Sequence, residues 1–222
     1  LGSAVGFEGV PCIDIAVDPL ECTNNCADDK PNSIAVLAAA PRGTLLHAPD
    51  CYMNKIAAGP QLSGHVSLEG TVTYNLEQAA HVLDKPISDV RVVALDRDRH
   101  ADLFKEIRGS GAQLELLGDG DVSGALLVTD EKYNVDIFMG IGGGPEGVIV
   151  ATALDSLNCN FQGRFLFKTE TDKKRAKDMG IKDLNKKYEI NEIVRGESFF
   201  CATGITSGEL MDGVTREDNK YI

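Results

Sequence analysis

The chain has 222 residues, 43% of them hydrophobic and 25% charged, enough for one large domain or two small ones. A formal net charge of -12 excludes a general nucleic-acid surface, which needs Lys and Arg to displace counterions, and 6% aromatic residues without a Trp give bases no stacking platform. No apolar run is long enough to span a bilayer, and Leu1-Gly2-Ser3-Ala4-Val5 lacks the basic flank and apolar stretch of a signal peptide. A cytoplasmic chain without membrane partners is therefore expected. It opens on Leu rather than Met, so the natural start is expected upstream, where a transit peptide is the alternative. The six cysteines, Cys12, Cys22, Cys26, Cys51, Cys159 and Cys201, make no repeated C-x-x-C, which argues against a zinc ribbon and for reduced, mostly buried thiols. A redox pair of Cys22 and Cys26 is the other reading.

In chain order, residues 13–17 alternate as a strand and residues 33–38 form a second apolar run. Pro41-Arg42-Gly43-Thr44 is a turn signal, after which 45–47 resume extended structure, so a hairpin is expected there. Residues 75–84 read as a short helix. Strands follow at 91–95, 112–117, 135–141 and 161–167, with helices at 101–108, 121–128 and 145–157 between them. Asp121 is the expected N-cap of its helix, and Pro145 suits a first turn, where no N–H is needed. The fold expected is α/β and layered: an antiparallel or mixed sheet portion, then an alternating strand–helix portion with ligand groups in loops after strands. The basic run Lys173-Lys174-Arg175 reads as a solvated helix face.

Three segments carry chemistry. In Asp14-Ile15-Ala16-Val17-Asp18-Pro19-Leu20-Glu21-Cys22-Thr23, an apolar strand ends on an acid, and Pro19 is expected to stop it. Asp18 and Glu21 then converge on one point, where two carboxylates need a proton or a hard cation between them. Thr23 is placed to orient an attacking water. A solvated acidic turn is the plainer reading. The second segment, Met139-Gly140-Ile141-Gly142-Gly143-Gly144-Pro145-Glu146-Gly147, contains G-x-G-x-x-G. Glu146 would repel a pyrophosphate there, and a glycine turn with an acid at the helix start suits metal plus phosphate better. The third comprises Arg97-Asp98-Arg99-His100 and Gly118-Asp119-Gly120-Asp121, each after a strand. Arginines there can clamp phosphate and aspartates can accept from sugar hydroxyls, or they are surface charges and caps. His100 reads as a helix-start or surface residue, and Tyr52 as either packing or ligand contact.

Taken in order, residues 14–23, Ala48-Pro49-Asp50-Cys51-Tyr52-Met53, 96–100, Asp119-Gly120-Asp121-Val122, 139–148, Met179-Gly180-Ile181 and Ala202-Thr203-Gly204-Ile205-Thr206-Ser207-Gly208 resemble the class II fructose-1,6-bisphosphatases. The resemblance implies hydrolysis of the 1-phosphate of fructose 1,6-bisphosphate, with sedoheptulose 1,7-bisphosphate as a second substrate, and a homo-oligomer. It implies Asp18, Glu21 and Glu146 as ligands of Mn²⁺ or Mg²⁺, with the Leu20 carbonyl added. Asp18, Glu21 and Thr23 would be catalytic. Glu21, Cys22, Thr23, Tyr52, Arg97, Arg99, Asp119, Asp121 and Gly143 would hold the substrate. Residues 1–88 would be the remainder of an N-terminal metal-site portion and 89–222 the sugar-phosphate-binding portion.

The chain departs from the family in lacking an early Asp and a Gly-Glu-Gly-Glu segment, of which Gly6-Phe7-Glu8-Gly9 is a faint echo. Cys22 stands where the family has Gly, and the C-terminal end stops early. A non-catalytic sugar-phosphate binder is the main alternative, and a nucleotide-dependent oxidoreductase resting on 142–147 a distant one.

Overall fold

A computed structural model describes residues 12–218, 220 and 221, so the segment around Gly6 and Glu8 lies outside the described residues. Strand β1 (Ile13–Glu21) runs past Pro19, which does not end it. The strand lies at the edge of its sheet, where a missing N–H breaks no ladder bond, and its register shifts as a bulge between Asp18 and Glu21. Helix α1 (Thr23–Ala27) leads to β2 (Ile34–Pro41), antiparallel to β1. The turn at Arg42-Gly43 forms. The expected hairpin after it does not: Leu45 makes a single bridge, to Val194, and the chain passes to another sheet.

There β3 (Tyr52–Ala58) is a strand that the pattern missed. Helix α2 (Val72–Val82) begins three residues earlier than expected because the Thr71 hydroxyl accepts from the Tyr74 N–H and caps it. Then β4 (Arg91–Leu95), α3 (Ala101–Ser110), β5 (Gln113–Leu117), α4 (Asp121–Leu126), β6 (Ile137–Gly143), α5 (Gly144–Ser156) and β7 (Asn160–Leu166) follow the expected alternation within two residues at each end. Asp121 is the first residue of α4 rather than its cap. Gly120, at φ 102°, holds the cap position. Helix α6 (Glu170–Asp178) starts in a Thr169–Asp172 capping box and carries the basic run. Strand β8 (Lys187–Glu189), helix α7 (Ile190–Ile193) and strand β9 (Phe199–Gly204) precede a small hairpin of β10 (Arg216–Glu217) and β11 (Lys220–Tyr221).

The main sheet has the order β5-β4-β6-β3-β7-β8, parallel from β5 to β6 and antiparallel from β3 on; β1, β2 and β9 form a second sheet. Strand pairing thus crosses the 88/89 boundary at β3–β6, β3–β7 and β2–β9, and the Leu45–Val194 bridge crosses it as well. Helix α5 is buried around most of its circumference from Gly147 to Leu154, which an all-round apolar helix requires, and it packs against strands of both sheets. Helices α2 and α3 pack on each other, and a separate apolar cluster joins them to the main sheet through Ile56, Leu76, Val92 and Ile107.

Candidate active site

Strand direction decides where the side chains meet. Tyr52, the first residue of β3, lies opposite both Gly143 at the end of β6 and Leu166 at the end of β7. The carboxyl ends of β4, β5, β6 and β7 therefore open at the edge where β3 begins. Open α/β sheets place their ligands at such an edge. Asp96 to Arg99, Asp119 to Asp121, Glu146 and Lys168 all follow those strand ends.

The end of β1 reaches the same place. Glu21 is buried, and its Oε1 accepts the Val122 N–H at 2.7 Å, at the start of α4. Burial first, then the nearby Asp121 and Asp18 carboxylates, push its carboxyl up to about 8 against the hydrogen bond from Val122. The Asp18 carboxylate is close enough to raise the proton affinity of Glu21, and it accepts the Leu20 N–H at 3.0 Å. Asp121 is paired with Lys55, whose side chain is fully buried; its Oδ1 has no partner. Sequence reasoning missed Lys55, although a Lys inside the apolar run 52–58 is itself the signal, because a buried ammonium requires a buried acid. Thr23 is exposed and its hydroxyl donates to the Leu20 carbonyl at 2.9 Å, leaving its lone pairs available.

Cys22 takes the left-handed conformation, φ 62°, where glycine is at ease. Its side chain turns inward, Sγ 3.4 Å from Ser123 Oγ, and burial pushes the thiol up to about 12. What it presents to a ligand is main chain. All six cysteines are free, and a thiol so reluctant to ionise does not suit redox exchange with Cys26.

The cations divide into two sets. Arg97 is held by the Asp96 and Gly118 carbonyls and by Asp119 Oδ1 at 3.0 Å, while Asn24 Nδ2 donates to the other Asp119 oxygen. Arg99 is exposed, donates only to the Ile141 carbonyl, and lies 5.0 Å above the Tyr52 ring. Lys168, also missed from sequence, sits 4.2 Å from the same ring. Arg97 is thus internally neutralised, whereas Arg99 and Lys168 present open charge. His100 is the helix-start residue expected, and the surface alternative falls because it is buried: Nδ1 donates to the Leu95 carbonyl at 2.7 Å and Nε2 accepts the Ile141 N–H at 2.8 Å. Burial holds its pKa below the ordinary value.

The glycine run is shaped for carboxylates. A side chain on Gly142 would overlap Asp121, and one on Gly143 would overlap Glu146. Strand β6 passes directly into α5, and Glu146 stands in its first turn, so acids fill the space a pyrophosphate would need. This removes the dinucleotide reading.

Asp18 and Glu146 line one cleft of about 1180 Å³, which Glu21 does not border. Among the described residues, no three His, Cys, Asp or Glu side chains gather into a ready-made metal cage. The structure joins Asp18 to Glu21 and opens Asp18 towards the Glu146 side without bringing all three together. The donor chemistry nevertheless suits a hard divalent cation: among the described residues Glu146 Oε2 is buried without a partner, as is Asp121 Oδ1, and the Asp121 and Asp18 charges raise the proton affinity of Glu21.

The family model described as bacterial fructose-1,6-bisphosphatase, glpX-encoded, matches residues 1–222. A D-fructose 1,6-bisphosphatase class 2/sedoheptulose 1,7-bisphosphatase of Prochlorococcus marinus (strain MIT 9312) is 43% identical across 98% of this chain and 69% of its own length. The similarly named protein of Synechococcus sp. (strain JA-3-3Ab) is 45% identical across 91% of this chain and 62% of its own length, so the chain spans about two thirds of these relatives. With its whole length matched, the chain belongs to the bacterial, glpX-encoded fructose-1,6-bisphosphatase family.

Proposed function

We propose that this chain catalyses metal-dependent hydrolysis of fructose 1,6-bisphosphate to fructose 6-phosphate and phosphate, and that sedoheptulose 1,7-bisphosphate is a second substrate. The observation that carries the reading is the meeting, at one sheet edge, of the Asp18–Glu21–Asp121 acids with open cations beside Tyr52. Asp18, Glu21 and Glu146 would hold Mn²⁺ or Mg²⁺, with the Leu20 carbonyl nearby. Such an ion activates water and shields charge on the leaving oxygen.

The residues supply the rest. The Thr23 hydroxyl, fixed by its bond to Leu20, accepts a hydrogen bond from the incoming water and so orients its oxygen. Arg99, steadied on Tyr52, donates to a phosphate, and Arg97 holds Asp119 in place to accept from the sugar. Asp121 Oδ1 accepts from a second hydroxyl. Gly143 and Cys22 contribute main chain only. The test is phosphate release from fructose 1,6-bisphosphate with Mn²⁺ or Mg²⁺: release that Asp18→Asn lowers by about 10³-fold or more supports the reading, and release indifferent to that change rejects it.

A second reading, sugar-phosphate binding without turnover, is favoured by the separation of Glu21 from the cleft shared by Asp18 and Glu146. Calorimetry showing fructose 6-phosphate binding alongside no phosphate release would select it. Six free thiols suit a reducing compartment, and we assign the chain to the cytoplasm. Among the described residues no helix is long and apolar enough to cross a membrane. Homo-oligomer formation belongs to the same reading, and sedimentation velocity tests it.

A further inference from the structure

Lys55 has no role in the chemistry above, yet it is the one fully buried cation among the described residues. It points from the centre of β3 towards α5, where a side chain at Gly147 would come within 3.3 Å of its Cε. Among the described residues, its ammonium donates to Asp121 Oδ2 alone. A carboxylate at the end of a short helix has rotamer freedom, and a charged donor on one oxygen removes it. The other oxygen, Oδ1, is buried and unpartnered, an expensive state unless a ligand completes it. We propose that Lys55 is a positioning residue: by gripping Asp121 Oδ2 from beneath, it aims Asp121 Oδ1 at a hydroxyl of the bound sugar phosphate. The proposal rests on the sugar-phosphate reading. Lys55 also offsets the charge of Asp121, a carboxylate close enough to Glu21 to raise its proton affinity, and so weakens the hold of these acids on any cation.

These two effects have opposite signs, which separates positioning from mere core packing. Calorimetry on the full 222-residue chain measures Mn²⁺ alone and fructose 6-phosphate, each on wild type, Lys55→Met and Lys55→Gln, with circular dichroism confirming that each variant is folded. Lys55→Met is expected to raise the fructose 6-phosphate Kd by about tenfold or more, the worth of a hydrogen bond to a charged group, while Mn²⁺ binds as tightly as in wild type or tighter. Lys55→Gln keeps a donor to Asp121 and is expected to bind fructose 6-phosphate within about threefold of wild type, again with no loss of Mn²⁺. Unchanged sugar-phosphate affinity in Lys55→Met overturns the proposal. So does parallel loss of both ligands, or failure of both variants to fold. If Lys55→Met alone fails to fold, the Gln variant decides, and loss of sugar-phosphate binding there is the overturning result. Wild type that binds no fructose 6-phosphate rejects the sugar-phosphate reading itself, a distinct outcome.

Discussion

Cys22 and Glu21, adjacent in sequence, are strained in different ways. A non-glycine residue in the left-handed region costs about 1–3 kcal/mol, and Cys22 recovers part of that through burial and its Ser123 contact. Cys22→Gly removes the strain with the contact, whereas Cys22→Ala keeps the strain and loses the contact. Urea unfolding should therefore rank glycine equal to or above wild type and alanine below it by about 1 kcal/mol. Glu21 has its carboxyl raised from its ordinary 4.5 to about 8. In the absence of metal, the folded chain holds that proton between pH 4.5 and 8 while the unfolded chain releases it. Stability is then full below pH 4.5 and is lost as pH rises through 8. Denaturation in chelator at pH 6 and pH 8 should show the decline, and Glu21→Gln should flatten it. The approach of Asp18 to Glu21 was legible from their spacing. Lys55 was not, because a lone Lys in an apolar run resembles the break of a pattern rather than half of an ion pair.

At the level of elements, alternating strand and helix from β4 to β7 was readable because each segment has its own apolar period and its own breakers. Strand β3 escaped because Asn54 and Lys55 interrupt it, and its burial between β6 and β7 is a tertiary fact. The bulge at Pro19 escaped for a similar reason, since proline ends a central strand but not an edge strand. His100 ties two elements, bridging the end of β4 to the end of β6 through Leu95 and Ile141. His100→Ala leaves both groups without partners and opens a void, and should cost about 2–4 kcal/mol by chemical denaturation. With the imidazole pKa below its ordinary 6.5 in the folded state, stability is present above pH 6.5 and is lost as pH falls through the folded value. His100→Gln should remove that acid dependence.

For the molecule as a whole, the order of the matching stretches was legible in the sequence, and their convergence was not. A boundary at 88/89 follows the change in pattern along the chain, while hydrogen bonding ignores it. Removing residues 1–88 takes β3 from between β6 and β7 and leaves β9 without β2. Residues 89–222 expressed alone should lack a cooperative thermal transition, and the full chain should show one. Circular dichroism on both decides whether the two portions fold separately.

Helix α5 begins within two residues of Glu146 and is enclosed by strands from both sheets. That carboxylate is therefore seated by the interior and not by a loop free to rearrange. The site cannot slacken without parting the core, so occupancy there is thermodynamically linked to global unfolding rather than to a local opening. A ligand engaging Glu146 should slow amide hydrogen exchange deep in β2 and β7, far from any atom it touches, by the full factor of one plus its concentration over its Kd.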